Sequence, residues 1–231
     1  MAGTVQGDKW VLYYWPGFKG RAEFVRLVFE EAGIPYLESN QGVADSIIKG
    51  EIGGYPVMMP PVVAKGDFRL GQTQMICQYL AGKYGLAPKG EEDKIHAEQV
   101  CASMYDYLTE GYGAFHGAKP GVKYADQKEE AQRYIDRVVQ QRLPRYLKHF
   151  ETVLAANTAG TGFLFGDSIS HADLALFHIM NATEFQFPEV YKSADYIPLL
   201  KAHRDRIASR PNIVAYTQSE RCKPFSGDSF M

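Results

Sequence analysis

Trp10-Val11-Leu12-Tyr13-Tyr14-Trp15-Pro16-Gly17-Phe18-Lys19-Gly20-Arg21-Ala22-Glu23-Phe24-Val25-Arg26-Leu27-Val28-Phe29 is the stretch on which the fold turns. Its first six residues are aliphatic, β-branched or aromatic, and Pro16-Gly17 stops them, the pattern of a strand running into a turn. From Arg21 the period changes. Val25, Val28, Phe29 and Ala32 fall at i, i+3, i+4 and i+7, the apolar stripe of a helix, which Gly33 and Pro35 close. A strand feeding a helix across a short turn opens a β-α-β unit. Ile34 to Ser39 predicts the second strand.

Downstream, Val62-Val63-Ala64 and Phe68-Arg69-Leu70, joined by Lys65-Gly66-Asp67, read as a β-hairpin. A second helix is predicted from about Thr73, burying Ile76 and Leu80 and ending at Gly85 before Pro88. The order β-α-β then β-β-α is that of a thioredoxin-like unit. Beyond Gly90 the texture alters to long periodic stretches: Glu92 to Phe115, Gln127 to Ala155, Ser170 to Asn181, Ile197 to Ser209 and a shorter one after Pro211. The expected architecture is an α/β thioredoxin-like N-terminal domain over residues 1–86 and an all-α C-terminal domain over residues 91–231.

Composition narrows the function. A chain of 231 residues with 45% hydrophobic content builds a packed core, and 25 Lys and Arg against 27 Asp and Glu leave a net charge of −2. That balance supplies no excess for a phosphate backbone or an anionic membrane, so nucleic acid and membrane partners are not expected. Cys77, Cys101 and Cys222 are too few and too scattered for a disulfide framework or a zinc site, and no metal is expected; a reducing, cytoplasmic setting is. No export signal or spanning segment is read.

The chemistry is expected in the first domain. Gly71-Gln72-Thr73-Gln74 lies where the hairpin enters the second helix, so N–H groups and a hydroxyl converge on a helix N-terminus that suits a carboxylate; the plain alternative is that Thr73 is an ordinary N-cap. Met59-Pro60-Pro61-Val62 brings a proline to a strand entrance, where a cis peptide turns the backbone out to an extended ligand and a trans one makes only a turn. Tyr14 sits at the end of the first strand, placed to bring a hydroxyl to a bound thiol.

Together these residues resemble a cytosolic glutathione transferase of the tyrosine type, the sigma, pi, mu and alpha group with its fungal, plant and bacterial relatives. The motifs are Tyr14-Trp15-Pro16 leading to Gly20-Arg21-Ala22-Glu23, Pro61 with Gly66-Asp67 and Gln72-Thr73-Gln74-Met75-Ile76, and Gly166-Asp167-Ser168-Ile169-Ser170-His171-Ala172-Asp173. In the last, Ser170 and Asp173 have capping-box spacing.

The resemblance implies conjugation of the glutathione thiolate to hydrophobic electrophiles. A thiol with a pKa of about 8.5 is only a few per cent ionised at neutral pH. Lowering it by about 2 units requires roughly 2.7 kcal/mol, within reach of one or two well-aimed hydrogen bonds. By the resemblance Tyr14 donates to the sulfur, Arg21 adds charge beside it, Gln72 and Thr73 take the γ-glutamyl carboxylate, Pro60 and Pro61 face the cysteinyl backbone, and Lys49 is either the glycyl carboxylate's partner or a surface lysine. Phe18, Tyr105, Tyr112, Phe115 and His116 are implied to line an electrophile pocket between the domains, or else to pack. A homodimer is implied, with Tyr55 as an aromatic key and Asp106 a candidate contact to the partner's glutathione. Three departures stand against the pattern: six steps separate Tyr14 from Gly20 rather than five, so Tyr13 is a rival; Pro60 lacks the N–H the cysteinyl backbone uses; and Met59 replaces a polar side chain. A carrier that binds glutathione without turnover, and a glutathione-dependent peroxidase, are the competing readings.

Overall fold

The computed structural model describes residues 9–40, 43, 47, 49–119 and 121–225. They cluster into two compact units, one running to Ala87 and regaining Pro211–Pro224, the other built from Pro88–Arg210 together with Phe225.

In the first unit, β1 (Trp10–Tyr13) lies between β2 (Tyr36–Ser39) and β3 (Val62–Lys65), and β4 (Phe68–Gly71) forms the far edge. β1 runs parallel to β2, with Trp10 opposite Tyr36, and antiparallel to β3, with Tyr13 opposite Val62. The parallel pair is joined by α1 (Ala22–Glu31), as a crossover requires. α2 (Thr73–Tyr84) follows the hairpin and ends on Gly85 at φ 75°, the left-handed conformation that a glycine C-cap adopts freely. The core between sheet and helices holds Leu12, Val25, Phe29, Val63, Ile76 and Leu80. Strand side chains alternate in face. Trp10 meets Phe29 of α1 with ring centroids 6.0 Å apart, so Trp10, Leu12 and Tyr14 face the helix. Tyr13 turns the other way, against Val43, Ile47 and Val62.

The helical unit comprises α3 (Glu91–His116), α4 (Lys128–Arg137), α5 (Leu143–Ala156), α6 (His171–Gln186), α7 (Pro188–Ser193) and α8 (Pro198–Ala208). Two expectations are corrected. The single helix predicted over Gln127–Ala155 is divided by a π-helical turn, Val138–Arg142. Pro144, in the first turn of α5, has no N–H to continue an α ladder, and widening the preceding turn accommodates it. α6 runs five residues past Asn181, and α7 was not anticipated. Almost every α6 residue up to Thr183 is buried, so it presents no polar stripe from which its end is read. The last helix, α9 (Pro211–Thr217), packs within the first unit: Asn212 donates to the Glu31 carbonyl at 2.9 Å and the Tyr216 hydroxyl donates to Glu23 at 2.8 Å.

Candidate functional site

Tyr14 follows β1, its N–H still bonded to the Ser39 carbonyl at 3.3 Å, and only 5% of the residue is exposed. Its phenolic oxygen lies at the start of α1 and accepts the Arg21 backbone N–H at 2.8 Å. This uses one of the donors a helix N-terminus leaves unsatisfied and places the oxygen in the positive end of the helix dipole. Burial pushes the Tyr14 pKa up, and the Arg21 N–H and the nearby Arg26 and Arg21 charges oppose that less strongly. The hydroxyl therefore stays protonated, and with its oxygen accepting from Arg21 its proton is the part left to give away.

Gly20 makes this approach possible. It has φ +51°, and a Cβ there would come within 2.3 Å of the Tyr14 hydroxyl oxygen. The extra residue in the turn does not displace Tyr14 from the start of α1. Phe18, within the turn, leans on Tyr14 with ring centroids 5.6 Å apart.

Arg21 and Arg26 divide the role that sequence reasoning gave to Arg21 alone. Arg21 is the N-cap of α1 and reaches Tyr14 through its backbone. Of the two charges, that of Arg26 acts more strongly on the phenol. Arg26 is wholly buried, its guanidinium 5.9 Å from the Tyr14 ring centroid. It donates to Glu38, to Glu23 at 3.2 Å and to the Lys19 carbonyl at 2.9 Å, so it pins the turn that carries Gly20. Glu23 also accepts from Lys19 at 2.6 Å and from Tyr216, and Asn40 donates to the Tyr14 carbonyl at 3.2 Å. Sequence reasoning missed Arg26 and Glu23 as a pair. The available signal was a charged i, i+3 pair inside the apolar stripe of α1, where solvated charges do not belong.

At the entrance to α2 the N-cap is Gln72, not Thr73. Gln72 is exposed and holds φ +68°, a left-handed conformation that costs a non-glycine residue free energy and that recurs at ligand clamps. Thr73, the first helical residue, is 5% exposed. The Pro60–Pro61 peptide is cis and leads directly into β3. Pro61 is buried, Pro60 half-buried and Met59 47% exposed. Lys49 lies on an exposed turn.

In the helical unit, Tyr112 is 55% exposed and stacks on His116, centroids 4.5 Å apart, while Tyr105 is half-buried on the same helix. Phe115 differs from the expectation of a pocket residue. It is 3% exposed, packed edge-on against Tyr124 at 5.0 Å and tilted against Phe187 at 6.1 Å. Asp106 and Tyr55 are both exposed.

Among the described residues, no three His, Cys, Asp or Glu side chains gather as a metal site, and no helix is long and apolar enough to cross a membrane. Residues 114–220 match the family described as Glutathione S-transferase, C-terminal domain. Glutathione S-transferase A3 of Mus musculus is 30% identical over 220 residues, which span 93% of this chain and 91% of that protein. S-crystallin SL11 of Nototodarus sloanii is 28% identical over 217 residues, 94% of this chain and 98% of that one. In fold, the solved Pi-class Glutathione S-transferase of Onchocerca volvulus matches 91% of this chain and 92% of its own, with a TM-score of 0.74 at 24% identity.

Proposed function

This chain belongs to the glutathione S-transferase family, and we propose that it conjugates the glutathione thiolate to hydrophobic electrophiles, with the Tyr14 hydroxyl holding the anion. The observation that carries this reading is the 2.8 Å bond from the Arg21 N–H to the Tyr14 oxygen, which turns the phenolic proton outward as a donor. Bound glutathione loses its thiol proton to solvent, and the Tyr14 O–H donates to the resulting sulfur. The thiolate lone pair forms the S–C bond while the leaving group departs with its electrons, or an activated double bond takes up the pair.

The left-handed N-cap at Gln72 and the buried Thr73 support a cradle for the γ-glutamyl carboxylate. Pro60 and Pro61 are proposed to face the cysteinyl backbone through the Pro60 carbonyl, since Pro60 has no N–H, and Lys49 to meet the glycyl carboxylate. Phe18, beside Tyr14, is proposed as an apolar contact for the electrophile. On α3 we propose Tyr105 and the stacked Tyr112 and His116 as an aromatic surface for such substrates, leaving out Phe115, which packing occupies. The protein is proposed to be cytoplasmic and homodimeric; the dimer predicts a solution mass of twice 25.9 kDa, and elution at one chain's mass contradicts it.

Tyr14→Phe tests the assignment. A hydrogen bond to a charged group contributes about 1.5–3 kcal/mol, so the thiol pKa of bound glutathione should rise by about 1–2 units and turnover at neutral pH fall about tenfold or more. An unchanged pH profile returns the role to Tyr13. The similarity to an S-crystallin favours a second reading, a glutathione-binding protein without turnover. Retention on immobilised glutathione with no conjugation of a chloronitroaromatic, and no peroxide reduction, selects it.

A further inference from the structure

The helical unit contains a cavity of about 590 Å³ between the first turns of α3 and the last turns of α5, walled on its third side by the loop from Asn157 to Gly166. Val100 and Leu164, both buried, lie along it, with Val153 and Ala156 beside them. Polar side chains line it too: Thr152, Asn157 and Thr158, and four more, Asp93, His96, Gln99 and His149. None of the four makes a side-chain hydrogen bond or ion pair with another described residue. An apolar cavity of this size with a few convergent polar groups is the usual form of a small-molecule site.

Its wall is fixed in advance. Asn157 donates to the Phe163 and Gly166 carbonyls, both at 2.9 Å, and accepts the Ala159 N–H at 3.1 Å. Thr161 donates to the Gly166 carbonyl at 2.8 Å. A loop tied at both ends loses little freedom when a ligand enters.

The charge of the ligand follows from the lining. Asp93 is the lining's one carboxylate. No lysine or arginine is among its described lining residues, and Lys89 and Lys94 pair with Asp167 at 2.9 Å and Glu91 at 2.5 Å. His96 comes from α3 and His149 from α5, the latter tilted against Phe150 with ring centroids 5.7 Å apart. We infer that this cavity binds an arylalkylamine in its ammonium form, the ring beside the imidazoles of His96 and His149 and the nitrogen on Asp93.

The test uses the full-length protein and three matched probes: 1-naphthylmethylamine, 1-naphthalenemethanol and 1-naphthylacetate, titrated by fluorescence with the transferase site saturated by S-hexylglutathione. The amine should bind best and the acetate worst. Asp93→Asn should weaken the amine roughly fivefold, as for an exposed ion pair, and leave the alcohol unchanged. Ala156→Trp, on the rim, should abolish binding of all three while circular dichroism stays native. Preference for the acetate, indifference of the amine to Asp93→Asn, or no binding of the amine in the presence of S-hexylglutathione overturns the proposal. Because the conjugation site is blocked throughout, failure here is separable from failure of the transferase reading.

Discussion

At the residue scale the central feature is a conjunction of Tyr14, Gly20 and Arg26. The first two were quoted from the sequence, yet the sequence left Tyr13 and Tyr14 as rivals. Strand parity gives them different faces, and parity is set by the partner: Tyr13 lies opposite Val62 on the face away from α1, so Tyr14 faces the helix. The role of Gly20 was legible only as a motif letter until the 2.3 Å approach to Tyr14 supplied its reason. Gly20→Ala should therefore fold, at about 1–2 kcal/mol of left-handed strain, but push the phenol off the Arg21 N–H. Turnover should fall at least as far as in Tyr14→Phe, with glutathione affinity changing less. Wild-type turnover in Gly20→Ala contradicts the placement of Tyr14. Arg26 escaped notice because its i, i+3 spacing from Glu23 is also that of a solvated surface pair, and only the tertiary fold brings Glu38 to it.

At the element scale, agreement between sequence and structure follows how locally each element is specified. β1, α1, the β3–β4 hairpin and α2 are bounded by glycine and proline and were legible nearly to the residue. The π turn was not, since a five-residue widening has no periodicity of its own, and α6 was read short because a helix buried all round hides its end. The capping box at the start of α6 was legible from its S-x-x-D spacing. Asp173 goes further than a box: it accepts the Ser170 N–H at 2.8 Å and hydroxyl at 2.7 Å, the Leu164 N–H at 2.7 Å, and meets His203 at 3.0 Å. Removing its side chain takes a partner from four buried polar groups. Asp173→Ala should cost about 3–5 kcal/mol in denaturant unfolding and lower the yield of refolding, whereas a loss below 1 kcal/mol contradicts the hub role.

At the scale of the whole molecule, the many tyrosines set an alkaline limit. Burial raises the pKa values of Tyr14, Tyr107 and Tyr216, reinforced for Tyr216 by the carboxylate of Glu23. A raised folded-state value means that the unfolded chain gives up these protons first. The stability they carry is intact below the ordinary tyrosine pKa of about 10 and is lost as pH rises beyond it. The urea midpoint should be flat at mildly alkaline pH and fall steeply by about pH 11, with phenolate absorbance appearing together with unfolding; independent titration of all the tyrosines before unfolding contradicts this. Near-neutral charge is consistent with a small anionic co-substrate held by local dipoles rather than by a global field. The most direct measurement of the account is the thiol pKa of glutathione bound to the protein, read from ultraviolet thiolate absorbance in the wild type and in Tyr14→Phe. The wild-type value should lie about 2 units below that of free glutathione and rise by about 1–2 units in the variant. Equal values in the two proteins contradict it.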